Sequence, residues 1–323
     1  MTSVLCLIEH GTEGVSEASR RALSVARALA ESAGETLVAC AIGPFGAVEL
    51  DELGRYGVEV GYVIGGEGLD PYAPAAWARA LLQLAAETAS PAIVAAGSDR
   101  GNEVLAHAGA MTGLAMMANC FNASRGGEGI RVSRQRWAGS LIEDSFFNPS
   151  TALLTVAFDG VVAEPSPLPT VVVERNFRPE LEASDTVVRV MEWTKRPGGI
   201  GLAEARVVVG GGRGVASEEN FGALDELAGL LGGAVGVSRA VTSLGWRPHS
   251  QQVGQTGTRI APDLYLATGI SGATQHLAGC QSAKVIVAIN TDVDAPIFAR
   301  ADYAVIGDLN EVVPALCAAI RAR

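Results

Sequence analysis

The chain has little that would mark it as an exported, metal-bound or nucleic-acid-binding protein. Its five cysteines, Cys6, Cys40, Cys120, Cys280 and Cys317, are odd in number, far apart and set among apolar or small residues, with no C-x-x-C pair. They read as buried reduced thiols, and zinc or iron–sulfur sites are not expected. No apolar run reaches the ~20 residues of a membrane-spanning helix, so no membrane insertion is expected. Lys and Arg number 24 against 35 Asp and Glu, for a net charge of -11, and no basic patch is segregated from the rest. A phosphate backbone would be repelled, which argues against a nucleic-acid partner. The opening MTSVLCLIEH enters a strand-like run with no basic or transit-type lead, so a cytoplasmic location is expected. Ser-His-Asp order, H-E-x-x-H and Walker-type loops are missing too, and with them the usual hydrolytic and phosphoryl-transfer signatures.

What is present is the alternation of strand and helix. A length of 323 residues suggests about two domains. The first half runs SVLCLIE, then a helix with Ala22, Val25, Ala26 and Leu29 on one face, then ETLVACAIG, VEVGYVIGG, a helical PYAPAAWARALLQLAAETAS, the buried-type run PAIVAAGSD and a helix to Thr112. From about Ala115 to Met191 it becomes β-rich, in IRVSRQRWAGS, ALLTVAFDG, PTVVVER and TVVRVME. The polar, glycine-rich WTKRPGGIGLAEA breaks the period as a linker does. The same grammar restarts in ARVVVGGGRG, followed by a helix with Leu224, Leu227, Ala228 and Leu231 on one face. It continues through AVGVSR, DLYLATGI, KVIVAIN and YAVIGD to a closing helix. The expectation is an α/β protein of two domains, residues 1–197 and 198–323, each a doubly wound, mostly parallel sheet.

Candidate chemistry gathers in the second half. VVVGGGRG puts glycines between a strand and a helix, where backbone can approach a phosphate. The G-x-G-x-x-G fingerprint fails, because Val215 stands five after Gly210 and Ser217 five after Gly212. Arg213 could fork onto a phosphate. Ser238 and Arg239 end an apolar strand, where ligand sites of open α/β sheets collect. Gln251 to Thr258 is a polar run suited to hydrogen-bonding a heteroaromatic ring, or to an ordinary solvated loop. ATGISGATQHLAGC is again strand, glycine turn and helix, with Ser271 as candidate N-cap and one imidazole, His276, among small residues. Asn290 and Asp308 end two further strands, with turn and capping-box readings of their own, the latter through Glu311. On these residues alone an NAD(P)-linked oxidoreductase, an adenine-nucleotide-binding regulatory module and a flavin carrier all stay open.

The order and spacing of VVVGGGRG, GVSRA, GWRPHSQQVGQTG, PDLYLATGISGATQHLAGC, KVIVAIN and APIFARADYAVIGDLNEVVP, over nearly all of residues 205 to 315, resemble the α subunit of electron transfer flavoprotein. The first domain is similar only in pattern, from SVLCLIEH onward. The resemblance implies a C-terminal FAD-binding, Rossmann-like (DHS-like) domain. It further implies a heterodimer with a β subunit that carries AMP, packed on the N-terminal domain. Its function would be an electron carrier without substrate chemistry of its own, fed by flavin dehydrogenases and drained singly by an acceptor such as a quinone oxidoreductase. Carried onto matching positions, the FAD contacts would be Arg213, Ser238, Arg239, Val253, Gly254, Gln255, Thr256, Ser271, Gly272, Ala273, Thr274, Gln275, His276, Asn290 and Asp308. Within that set the expectation gives Arg213 the pyrophosphate, Arg239 the ring face, Thr256 the N5 side and His276, as a donor or imidazolium, the C2 carbonyl. Ser243, Thr258, Thr274 and Thr291 depart from the family's usual residues, the family also contains bifurcating forms, and the ferredoxin-like cysteine cluster of some members is missing.

Overall fold

The computed structural model describes every residue except 1, 12, 13, 138–140, 159, 193–200, 204 and 323. The chain divides into two compact units, Met1–Thr194 and Lys195–Arg323. The boundary drawn from sequence between residues 197 and 198, and most of the linker around it, lie outside the described residues.

In the first unit β1 (Ser3–Leu7) is followed by a minimal hairpin of β2 (His10–Gly11) and β3 (Gly14–Val15), then α1 (Glu17–Ala33), β4 (Thr36–Ile42), α2 (Ala47–Arg55), β5 (Val60–Ile64), α3 (Pro74–Glu87), β6 (Ala92–Ala96) and α4 (Asp99–Thr112). The strands β7 (Met116–Gly126), β8 (Gly129–Arg136), β9 (Leu141–Phe147), β10 (Ala152–Val156) and β11 (Val173–Phe177) complete it. Local chemistry sets the helix ends. Ser16 caps α1 by accepting from the Ser19 N–H, Gly34 closes it in the left-handed conformation, and Ser98 caps α4 through the Gly101 N–H.

All of these strands except the hairpin form one nine-stranded sheet in the order β11-β5-β4-β1-β6-β10-β7-β8-β9. It is parallel apart from the β7–β8 and β8–β9 pairs. Both faces are covered. Along β1, Val4 and Cys6 pack into one apolar cluster with Leu23 and Leu29 of α1, while Leu5 and Leu7 pack into another with Leu81 of α3 and Val104 of α4. That double burial is why the strands read as unbroken apolar runs instead of alternating ones.

The β-rich stretch after Ala115 closes the first unit and belongs to its sheet. Its strands extend this sheet at both ends, β7 to β10 on one side and β11 beside β5 on the other. TVVRVME contributes no strand: Ala183–Thr186 is a short 3-10 turn, and Val187, Val188 and Met191 are exposed.

The second unit holds β12 (Val207–Gly211), α5 (Phe221–Leu230), β13 (Ala234–Val237), α6 (Arg239–Ser243), β14 (Leu264–Thr268), α7 (Thr274–Cys280), β15 (Ile286–Asn290), β16 (Tyr303–Ile306) and α8 (Leu309–Arg321). Its five strands are all parallel, in the order β13-β12-β14-β15-β16. Val209, Leu266 and Ile289 face a cluster with Phe221 and Leu224 of α5 and Val313 of α8; Val208, Tyr265 and Ala288 face the other, which includes Cys280 of α7. The sheet is thus doubly wound, as expected. Among the described residues no helix is long and apolar enough to cross a membrane.

Candidate functional site

In a sheet with this order the direction of winding reverses between β12 and β14, and a crevice opens beyond the carboxyl ends of those two strands. A cleft of ≈ 580 Å³ lies there. The glycines of GGGRG build it for two different reasons. A side chain on Gly210 would meet the Tyr265 ring and one on Gly211 the ring of Phe221, so these two make room for the core. Gly212 and Gly214 instead lie against the backbone of Gly269, and their main chains are tied by Gly212 N–H to Thr268 O (2.9 Å) and Gly214 N–H to Gly269 O (3.0 Å). Only this second pair brings the two strand ends together at the mouth of the cleft.

Thirteen of the fifteen residues singled out from sequence line that cleft: Arg213, Ser238, Arg239, Val253, Gly254, Gln255, Thr256, Ser271, Gly272, Ala273, Gln275, His276 and Asn290. Thr274 and Asp308 are not among the lining residues. Asp308 caps α8, its carboxylate accepting from the Asn310 N–H at 2.8 Å; this is the cap expected there, formed with Asn310 instead of as a box with Glu311. Ser271 does not cap α7. The helix begins three residues later, with Ala273 at the cap position and no side chain on its first N–H groups. Asn290 works as a turn former, donating to Ile270 O at 3.0 Å and accepting from the Asp292 N–H at 3.0 Å.

The loop from Gln252 to Thr258 forms one wall. Gln255 N–H donates to Gln275 O at 2.8 Å, and Gly254 and Gly279 lie so close that a side chain on Gly279 would strike the Gly254 main chain. Gln252, which is buried, holds the loop from beneath: it accepts from Thr242 (2.7 Å) and donates to the Thr256 hydroxyl (3.1 Å). In that arrangement the Thr256 proton is left to point elsewhere. Gln252 carries no signal of its own in the sequence, because its pairing with Thr242 and Thr256 exists only once the loop has folded. Gly214, Ala240, Gly269, Ile270 and Asp292 also line the cleft without having been singled out.

The polar chemistry of the walls fits an anionic, hydrogen-bonding ligand. Arg213 and Arg239 are exposed, and neither is ion-paired among the described residues. Ser238 Oγ and His276 Nδ1 are buried without a hydrogen-bond partner. Unsatisfied buried polar atoms are rare in folded chains and costly unless something completes them. Of the two states expected for His276, a neutral donor or an imidazolium, burial favours the neutral one: it drives the pKa down to about 4, with the main chain of Val253 acting more weakly upward, and Nε2 lies 2.7 Å from the Tyr265 hydroxyl.

A parallel five-stranded sheet with a cationic, glycine-walled crevice at its switch point defines an α/β protein that binds a phosphate-bearing nucleotide cofactor. Family models sharpen this. Residues 201–281 match the electron transfer flavoprotein FAD-binding domain, and residues 4–175 match the electron transfer flavoprotein domain. The chain is 37% identical over 323 residues to the electron transfer flavoprotein subunit alpha of Mycobacterium tuberculosis (strain ATCC 25618 / H37Rv), covering 100% of this chain and 99% of that one. It is 32% identical over 304 residues to the protein of the same description from Thermoanaerobacterium thermosaccharolyticum, covering 93% and 92%. With that of Paracoccus denitrificans it shares 59% over 115 residues, 36% of this chain and 37% of that one. The chain belongs to the electron transfer flavoprotein α-subunit family: it is an electron carrier whose second unit is an FAD-binding domain.

Proposed function

We propose that this chain works as the flavin-carrying half of a heterodimer, paired with a β subunit that holds AMP. It would take electrons from flavin dehydrogenases and pass them one at a time to an acceptor such as a quinone oxidoreductase, with no substrate chemistry of its own. The observation that carries this reading is the cleft at the β12–β14 switch point. It joins two guanidinium groups, unpaired among the described residues, to buried polar atoms that lack a partner within the chain. Bound FAD would supply the stepwise uptake and release of electrons.

The chain's own residues hold and bias it. Arg213, beside the close-packed Gly212–Gly214 turn, would meet the pyrophosphate, and Ser238 Oγ would gain the partner it lacks. Arg239, at the end of β13, would face the ring, where its fixed positive charge favours the more negative, reduced form. Thr256, its oxygen already accepting from Gln252, is set to donate toward N5. His276 would border the C2 carbonyl side as a neutral ring. The cytoplasmic location expected from the sequence belongs to the same reading and is supported by five buried, free cysteines.

The test is electron entry. With the coexpressed heterodimer, a flavin dehydrogenase captured from the native host together with its substrate should reduce the bound flavin, and NADH or NADPH alone should not. Rapid reduction by a nicotinamide nucleotide without the dehydrogenase would instead support an NAD(P)-linked or bifurcating protein.

A further inference from the structure

Beneath the cleft, Tyr265 of β14 and His276 of α7 form a close, buried polar contact. Tyr265 is fully buried, its hydroxyl lies 2.7 Å from His276 Nε2, and the two rings stack at 6.1 Å with 29° between their planes. Among the described residues the hydroxyl has no other hydrogen-bond partner. Sequence gives no warning of this pair, since eleven positions separate them.

The direction of this bond decides what His276 is. A buried phenol that accepts from Nε2–H must leave its own proton unspent in an apolar core, at the full cost of an unsatisfied donor. A phenol that donates to Nε2 spends its proton and requires the neutral ring to carry its hydrogen on Nδ1. A second observation is geometric: Nδ1, the atom left to carry the hydrogen, is buried at the cleft with no partner among the described residues, and His276 lines that cleft.

We infer that Tyr265 is a positioning residue of the cofactor cleft, donating its hydroxyl proton to His276 Nε2 and thereby fixing the histidine as the neutral Nδ1–H tautomer. The ring then ties α7 to β14 and leaves Nδ1–H free to donate into the cleft. The surrounding titratable and charged groups do not disturb it. Tyr265 and Cys280 in the core are both held neutral by burial, the Cys280 thiol being pushed up to about 12. Arg213, Arg239 and Asp292 line the cleft itself. Positive potential in the cleft therefore comes from the arginines and not from a histidine proton. Gly210 belongs to the same device, since a side chain there would occupy the place of the Tyr265 hydroxyl. The inference rests on the reading of His276 as a residue of the FAD cleft.

The test uses the FAD-loaded heterodimer labelled with 15N-histidine. This chain has only four histidines, and His276→Gln assigns the signal. His276 should show a protonated Nδ1 and an unprotonated Nε2 between pH 6 and 8. Tyr265→Phe, which keeps the ring, should shift the tautomer away from pure Nδ1–H and weaken FAD retention about 5- to 10-fold, as loss of one buried hydrogen bond predicts. Should that variant fail to fold, 3-fluorotyrosine incorporation strengthens the donor without changing its shape, and the His276 Nε2 resonance should move. A protonated Nε2 in the unaltered protein overturns the inference, as does a tautomer unmoved by Tyr265→Phe or an Nε2 resonance unmoved by fluorination. If His276→Gln leaves FAD affinity and the flavin spectrum unchanged, the placement of His276 in the FAD cleft fails while the tautomer assignment stands.

Discussion

His276 and Arg239 show how charge and burial divide the work at the scale of single residues. The imidazole titrates near 6.5 when unfolded and near 4 when folded. Between those values the unfolded chain binds a proton that the folded chain refuses, so this contribution is intact above about pH 6.5 and is lost as pH falls toward 4. The span corresponds to about 3 kcal/mol. His276→Gln should flatten the acid limb of stability in that window relative to the unaltered protein, as read by urea denaturation from pH 4 to 7; parallel curves would mean the ring titrates normally. Arg239 acts by charge alone. Removing it as Arg239→Ala should lower the first flavin potential by roughly 40 to 170 mV, since about 1.4 kcal/mol corresponds to 59 mV for one electron and near-surface charge pairs interact by roughly 1 to 4 kcal/mol. An unchanged potential with FAD still bound would remove it from the ring. Sequence alone made these side chains visible because Arg239 follows an apolar strand and His276 is the one imidazole in a stretch of small residues. It could not show the neutral state of His276, which comes from burial once α7 has packed against β14.

Glycines do more at the scale of elements than the phosphate cradle that VVVGGGRG suggests. Gly279 sits inside α7, where alanine is the better helix former by roughly 1 kcal/mol. Yet a methyl group there would strike the Gly254 backbone, so the collision should outweigh the propensity. Gly279→Ala is expected to cost roughly 1 to 3 kcal/mol, the usual range for overpacking, and to strip FAD by moving the Val253 loop off the helix. A variant that is more stable and still yellow would show that the loop is not seated on α7. The strands of the second unit were all legible, because each is an apolar run ended by a turn signal. The start of α7 was not: Ser271 looks like a cap, but Gly272 is wedged against Ile297 with φ +85, which pushes the helix start beyond it. In the first unit α2 was missed because it is only nine residues long and buries only Leu53 and Gly54 of AVELDELGR. TVVRVME looked like a strand because β-branched residues favour pleated surfaces, yet it joins no sheet, and Val187 and Val188 stay in solvent.

The molecule as a whole carries features of a chain that does not work by itself. Strand β9 is an open edge of the nine-stranded sheet, and Leu141, Ile142 and Phe146 on it are exposed. Edges and apolar patches of this kind invite association. Expressed alone, the chain should therefore aggregate or sediment as a mixture, and coexpression with a β subunit should give one defined heterodimer; a stable monomer with full flavin content would contradict this. The central claim is that the crevice between β12 and β14 holds FAD. The most direct measurement is the absorption spectrum and extracted cofactor of the purified heterodimer, taken for the unaltered protein and for a variant that wedges the crevice, Gly214→Val. One FAD per heterodimer with a yellow flavin spectrum, lost in the variant, is the predicted result. A colourless protein that binds NAD or ATP, or a flavin content unaffected by the wedge, would contradict it.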